Sequence, residues 1–352
     1  MRSAALFVLS PGLLVVATLG LHQSSTASSS TVTAQARDAL PLAGAGAGYV
    51  LGDDIDAYAA FMMSGGPPPD GIPSIDRPAF IGADEARLDG GEPVIGVVHG
   101  GEARAYPHRI MVHHEIVNDR VGGLDVAITY CPLTATAQGF KRGGTTLGVS
   151  GQLLNSNLVL FDRTTRSHFS QINATGLNGP HRGRTLDEIR LIWTTWERWR
   201  AVHPTTRVLS ERTGHLRNYA RDPYGGYNPP RGYYAQERAI FPLMHESRRH
   251  PSKTMVLGAR TATRSVFFVL SDLARDRVQS TPGFLAVYDS RLDTGYIYVR
   301  EGDTGVPVAR DDGQYEFQGK IHDADALPLT QPVAVEAFHF AWHAFYPRSE
   351  SP

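Results

Sequence analysis

The stretch His113-His114-Glu115-Ile116-Val117-Asn118-Asp119-Arg120-Val121-Gly122-Gly123-Leu124-Asp125-Val126-Ala127-Ile128-Thr129-Tyr130-Cys131-Pro132-Leu133-Thr134 decides the fold class. A glycine pair between two strand-like runs is a hairpin signal. Pairing Asp119 with Leu124 sets His114 opposite Thr129 and His113 opposite Tyr130. Side chains alternate along a strand, so Val112, His114, Ala127, Thr129 and Cys131 then share one face. His114 and Cys131 become diagonal neighbours whose side chains can meet. The other face carries His113, Glu115 and Tyr130, and a one-residue slip would exchange the two faces.

Outward from the hairpin, residues 93–98 form a β-branched run ending in Gly100-Gly101, and residues 104–106 start a returning strand. Residues 186–201, with Trp193, Trp196 and Trp199, read as a helix. Parts of this pattern recur. Val94-Ile95-Gly96-Val97 resembles Val256-Leu257-Gly258-Ala259, and Ile128-Thr129-Tyr130 resembles Ala286-Val287-Tyr288. The tryptophan segment before His203-Pro204 resembles residues 337–347. The chain therefore reads as α+β, antiparallel and β-rich, with helices packed on the sheets. Its two related halves read as an internal duplication. The expected boundaries are a signal peptide at 1–36 and a Gly/Ala/Pro-rich linker at 37–70 with one short helix around 54–63. A first half at 71–220 carries the hairpin, and a repeat-like second half spans 221–352. The turn-rich Asp222-Pro223-Tyr224-Gly225-Gly226-Tyr227-Asn228-Pro229-Pro230 joins them.

Composition bounds the function. The 352 residues are 41% hydrophobic and 20% charged, enough for a packed core. Lys+Arg of 34 against Asp+Glu of 35 leaves a net charge of −1, which gives no support to nucleic acid or an anionic membrane as partner. Only three cations are lysine, Lys141, Lys253 and Lys320, a bias best read as coding composition. A single cysteine excludes an intramolecular disulfide and any multi-cysteine zinc site. Met1-Arg2, an apolar run over 4–21 and Ala34-Gln35-Ala36 make an export signal, so a secreted or periplasmic protein is expected, with no stable membrane span after cleavage. An uncleaved anchor is the alternative, weakened by Pro11 inside the run. One cysteine also suits an oxidising compartment.

Three readings of Cys131 follow. An imidazolium beside it would lower the thiol pKa and make a nucleophile or redox thiol, with His114 as base and Glu115 nearby. A thiolate with imidazoles also suits copper or zinc, with Cys131, His114 and His168 as ligands and Glu115 or Met111 as a weaker fourth. Third, a lone cysteine can be a small buried hydrophobe in a non-catalytic, extracytoplasmic binding module. Thr134 stands where a C-x-x-C pair would have its second thiol. It closes no disulfide, but its hydroxyl can donate to a thiolate. Arg104, Tyr106 and Tyr130 are expected to line the site, and Asn118 and Asp119 to pin the hairpin turn. His245, His250, His339 and His343 read as surface or core histidines. His339 and His343 form an i, i+4 pair, but no glutamate follows His339 as the hydrolytic zinc helix requires. No phosphate loop, dinucleotide fingerprint or serine elbow is present. Asp53-Asp54 and Asp311-Asp312 read as solvated turns.

The chain resembles a bacterial and archaeal family, domain of unknown function 3179. The resemblance runs from Ile72 to Pro347. It is carried by Ile72-Pro73-Ser74-Ile75-Asp76, Arg104-Ala105-Tyr106-Pro107, the 114–119 segment, Tyr130-Cys131-Pro132-Leu133, Ser167-His168-Phe169-Ser170-Gln171, Asp222-Pro223-Tyr224 and Phe340-Ala341-Trp342. The family brings no established activity. Its usual segment ends in a second cysteine, and some members are described as selenoproteins, which implies redox chemistry. Thr134 replaces that second cysteine here, and Phe169 replaces a usual tryptophan. The resemblance thus implies single-thiol chemistry, metal binding or a member that has lost activity.

Overall fold

A computed structural model describes residues 40–43, 48–227, 229–302 and 304–352. The export signal lies outside the described residues. Among the described residues no helix is long and apolar enough to cross a membrane. The fold is β-rich and mostly antiparallel, with short helices.

The first helix, α1 (Ile55–Phe61), falls inside the segment read as linker. The described part of that segment packs against the rest of the chain. Tyr58 is fully buried and donates to the Phe345 carbonyl, 3.1 Å away. An aromatic ring with a satisfied hydroxyl outweighs the local glycine and proline content.

β1 (Pro93–His99) and β2 (Glu102–Pro107) pair across Gly100-Gly101. The chain then enters α2 (His108–His114), β3 (Ile116–Val121), β4 (Leu124–Cys131) and β5 (Thr136–Lys141). This corrects the hairpin. Gly122 and Gly123 both have positive φ and make a two-residue turn, so Val121 pairs with Leu124. The register moves by two residues and Ile116, not His114, faces Thr129. His113 and His114 are helical, because Glu115 ends α2 in the left-handed region (φ 59°), its N–H bonded to the Met111 carbonyl 2.8 Å away. Glycine usually takes that position, so the sequence hides the stop.

β6 (Leu147–Leu154) and β7 (Asn157–Asp162) form the next hairpin, turning at Asn155-Ser156. β8 (Ile192–Thr195) pairs with β1, and α3 (Trp196–Val202) follows. The expected 186–201 helix is thus helical only from Trp196, with strand over Ile192–Thr195 before it. Ile192, Thr194 and Thr195 are β-branched and favour the sheet.

The same order of elements recurs later. β9 (Met255–Arg260) pairs with β10 (Ser265–Val269), then come α4 (Leu270–Asp276), β11 (Val278–Ser280), β12 (Phe284–Asp289) and β13 (Thr294–Val299). β14 (Ala334–Phe338) pairs with β9 and leads into α5 (His339–Phe345). Details correspond too. Arg277 ends α4 at φ 64°, as Glu115 ends α2. Gly96 lies under the Trp199 ring and Gly258 under Trp342, where a Cβ would overlap either indole. Each indole N–H donates at 3.0 Å to a hydroxyl seven residues on, Thr206 and Ser349.

The described residues belong to one unit, Asp38–Pro352. One apolar cluster joins Cys131, Leu133, Leu158 and Phe169 to Val256, Phe338 and Trp342. Arg260 of β9 meets Glu188 at 2.9 Å, and both side chains are fully buried.

Candidate functional site

β4 has two environments. Ala127, Thr129 and Cys131 point to one side, where Ala127 and Cys131 join the large cluster. Val126, Ile128 and Tyr130 point to another cluster that includes Ile110, Met111, Val112 and Tyr219. This alternation sorts the expected site residues.

Cys131 is 2% exposed. Its thiol donates to the Ser156 carbonyl at 3.8 Å. Burial pushes the thiol pKa up to about 11, with the Glu115 carboxylate adding to the rise. The Thr134 hydroxyl and the N–H groups of Leu158 and Thr134 favour the thiolate, but do not offset burial. The thiol is therefore neutral at physiological pH.

Thr134 belongs to a fully buried polar network. Its Oγ1 accepts from Thr136 Oγ1 and Asn157 Nδ2, each at 2.9 Å. Asn157 Nδ2 also donates to Gln171 Oε1 at 2.7 Å. Gln171 Nε2 donates to Thr129 Oγ1 at 2.8 Å, and that hydroxyl donates to the Gln138 carbonyl at 2.7 Å. With two donors on Thr134 Oγ1, its own hydrogen is free for the Cys131 sulfur.

His114 is placed elsewhere. Nδ1–H donates to the Pro73 carbonyl at 2.7 Å, so Nε2 must accept from the Tyr219 hydroxyl at 2.7 Å. Tyr219 in turn accepts from Thr213, 2.6 Å away. Burial lowers the His114 pKa to about 4, so the ring is neutral with both nitrogens committed. It is neither base nor ligand for Cys131 in this arrangement. His168 Nδ1 bonds Asn178 Oδ1 at 3.0 Å, in another loop. The proposed ligand trio Cys131, His114 and His168 is therefore not assembled. Among the described residues, no group of three or more His, Cys, Asp or Glu side chains is drawn together as a metal cage.

Glu115, which strand alternation put on the opposite face, is the one that approaches Cys131. Burial raises its pKa to about 8, and its charge acts on both Cys131 and Tyr224. Its position follows from the turn of the backbone at φ 59°, which strand alternation could not anticipate.

The other lining residues serve neighbouring contacts. Tyr106 donates to Asp119 Oδ2 at 2.6 Å, and Arg104 pairs with Glu102 at 2.6 Å while stacking over Phe80. Asn118 does not pin its own turn. It donates to Asp76 at 2.7 Å and exchanges two hydrogen bonds with the Leu147 backbone. Tyr130 lies within hydrogen-bond reach of His108 Nε2 (3.1 Å) and the Tyr227 hydroxyl (2.7 Å). Burial lowers the His108 pKa to about 3.

Sequence reading missed the aromatic shell. Tyr227 stacks on Tyr234 at 3.8 Å, and Trp193 packs on Tyr130 at 5.1 Å. Tyr233 donates to the Leu133 carbonyl at 2.6 Å. The only sequence signal was tyrosine density around Asp222-Pro223-Tyr224. Tyr234 and Phe340, which share the Cys131 cluster, also line a groove of about 1030 Å³. Its rim holds Arg238, Arg248, Arg249 and Lys253 against Glu237 and Glu246. Lys253 Nζ sits 3.3 Å from the Tyr233 ring centroid, and burial lowers its pKa to about 8.

Comparison with known families assigns 69–349, described as a protein of unknown function, DUF3179. The chain belongs to this family. No curated protein and no solved structure matches it. Several motifs that carry the family resemblance are brackets in this chain. Pro73 anchors His114, and Ile75 bridges Val117. Asp76 ties Asn118 to Arg163, whose Nη1 reaches it at 3.1 Å.

Proposed function

We propose that this chain is an exported, ligand-binding member of its family whose cysteine is a closed, neutral thiol. One observation carries the reading: Cys131 is buried in a cluster rich in aromatic side chains, its thiol pKa is raised to about 11, and among the described residues no imidazole acts on it. A working nucleophile or a copper or zinc thiolate needs the opposite environment. Binding is assigned to the adjoining groove, whose four cations and two carboxylates favour an anionic small molecule. Export rests on the N-terminal apolar run and the Ala34-Gln35-Ala36 segment. Duplication of an ancestral unit accounts for the recurring hairpin–helix order and the paired Gly96–Trp199 and Gly258–Trp342 contacts.

Citrate and pyrophosphate, titrated against the full chain with Tm as readout, test the binding assignment. A rise in Tm is expected with at least one of them, because a ligand of the native state stabilises it. The rise should disappear in the Arg238→Ala/Arg248→Ala double variant and persist in Cys131→Ser. No rise with either anion, or a rise that depends on Cys131, contradicts the reading.

A further inference from the structure

His339, the first residue of α5, is fully buried, and among the described residues neither ring nitrogen has a hydrogen-bond partner. A neutral imidazole carries one donor and one acceptor, and leaving such groups unpaired costs roughly 1–3 kcal/mol each. Two further imidazoles stand around it. The His250 ring centroid is 5.0 Å away and that of His343 is 5.9 Å away. His339 and His343 share a helix face at i, i+4. His250 lines the groove, and Asp272 lies within electrostatic reach of it. The nearby cation Arg249 is turned to the chain end, bonding Ser351 and the Pro352 carbonyl. His245 is held by Asp53 at 2.7 Å and is not free to join.

We propose that His339, His250 and His343 form a binding site for a divalent transition-metal ion of the zinc class. Centroid spacings of 5–6 Å are those of imidazoles that share one ion at ordinary metal–nitrogen distances. The donors do not already converge. His250 and His343 are half-buried, and binding would turn His343 from its bond to the Glu246 backbone while packing fixes His339. Metal binding supplies the missing partner for one His339 nitrogen. Three imidazoles leave a fourth position for water or an anion.

Zn²⁺ titrated by calorimetry into the chelator-treated full chain tests this. One equivalent should bind. His250→Ala and His343→Ala, at half-buried positions, should each weaken binding by roughly tenfold or more. Cys131→Ser should leave it unchanged. Absence of a one-equivalent site overturns the inference. So does binding that survives both histidine variants, or binding lost only in Cys131→Ser. The silent-thiol reading stands or falls separately, on Cys131 reactivity.

Discussion

Glu115 holds a proton that an ordinary glutamate would have lost. Its pKa is raised to about 8 by burial, against 4.5 for a free side chain. Between those values the folded chain keeps the proton and the unfolded chain releases it. Stability therefore falls as pH rises through this window, by on the order of a few kcal/mol for one buried carboxyl. Glu115→Gln should flatten the decline, measured by urea unfolding at pH 5, 6.5 and 8. The residual slope sums Glu336, which burial raises to about 7, with the opposing contribution of the buried histidines below about pH 6.5. An unchanged slope in the variant would show that Glu115 is already ionised. On the acid side the sign reverses. His108 and His114 stay neutral when folded, down to about 3 and 4, while the unfolded chain protonates them below about 6.5. Stability is thus lost as pH falls through that range. At this scale the sequence pointed to Cys131 with His114, put Glu115 on the opposite face, and gave Thr134 a place beside the thiol. It misjudged His114, because the carbonyl of Pro73 and the hydroxyl of Tyr219 that claim the ring are 41 and 105 residues away.

The hairpin was legible as an element, and the side of β4 that Cys131 occupies was legible with it. The register was not, because four residues and two residues are both acceptable loop lengths around Gly122-Gly123. The helix before it was hidden by a glutamate doing what glycine ordinarily does. The tryptophan segment failed for a related reason: its i, i+3, i+6 spacing mimics a helix, while β-branched neighbours place Trp193 in a strand. The recurrence of Val-Ile-Gly-Val as Val-Leu-Gly-Ala was the most informative local signal. It marked the two strands on which an indole lies directly against a glycine. Gly96→Ala should destabilise the chain by about 1–3 kcal/mol or more through overpacking against Trp199. Gly91→Ala, where a Cβ meets nothing among the described residues, should be near neutral. Equal denaturation midpoints for the two variants would refute the packing.

At the scale of the whole molecule, the two halves read from the sequence share one core. Leu133 and Leu158 belong to the same cluster as Val256 and Trp342. The buried Arg260–Glu188 pair crosses between them at 2.9 Å. Removing one partner of such a pair is costly because the other charge stays buried. Cys131 sits in this shared cluster, so reaching it requires the molecule to open rather than a side chain to swing aside. The decisive measurement is the labelling of Cys131 by a disulfide reagent, in native buffer from pH 7 to 9 and across a denaturant series. The closed-thiol account predicts native labelling at least about a thousandfold slower than for a free thiol, because it must await global unfolding. Labelling should then accelerate together with the loss of tertiary structure. Fast native labelling that slows on acidification below pH 7 would show a low-pKa, accessible thiolate and contradict the account.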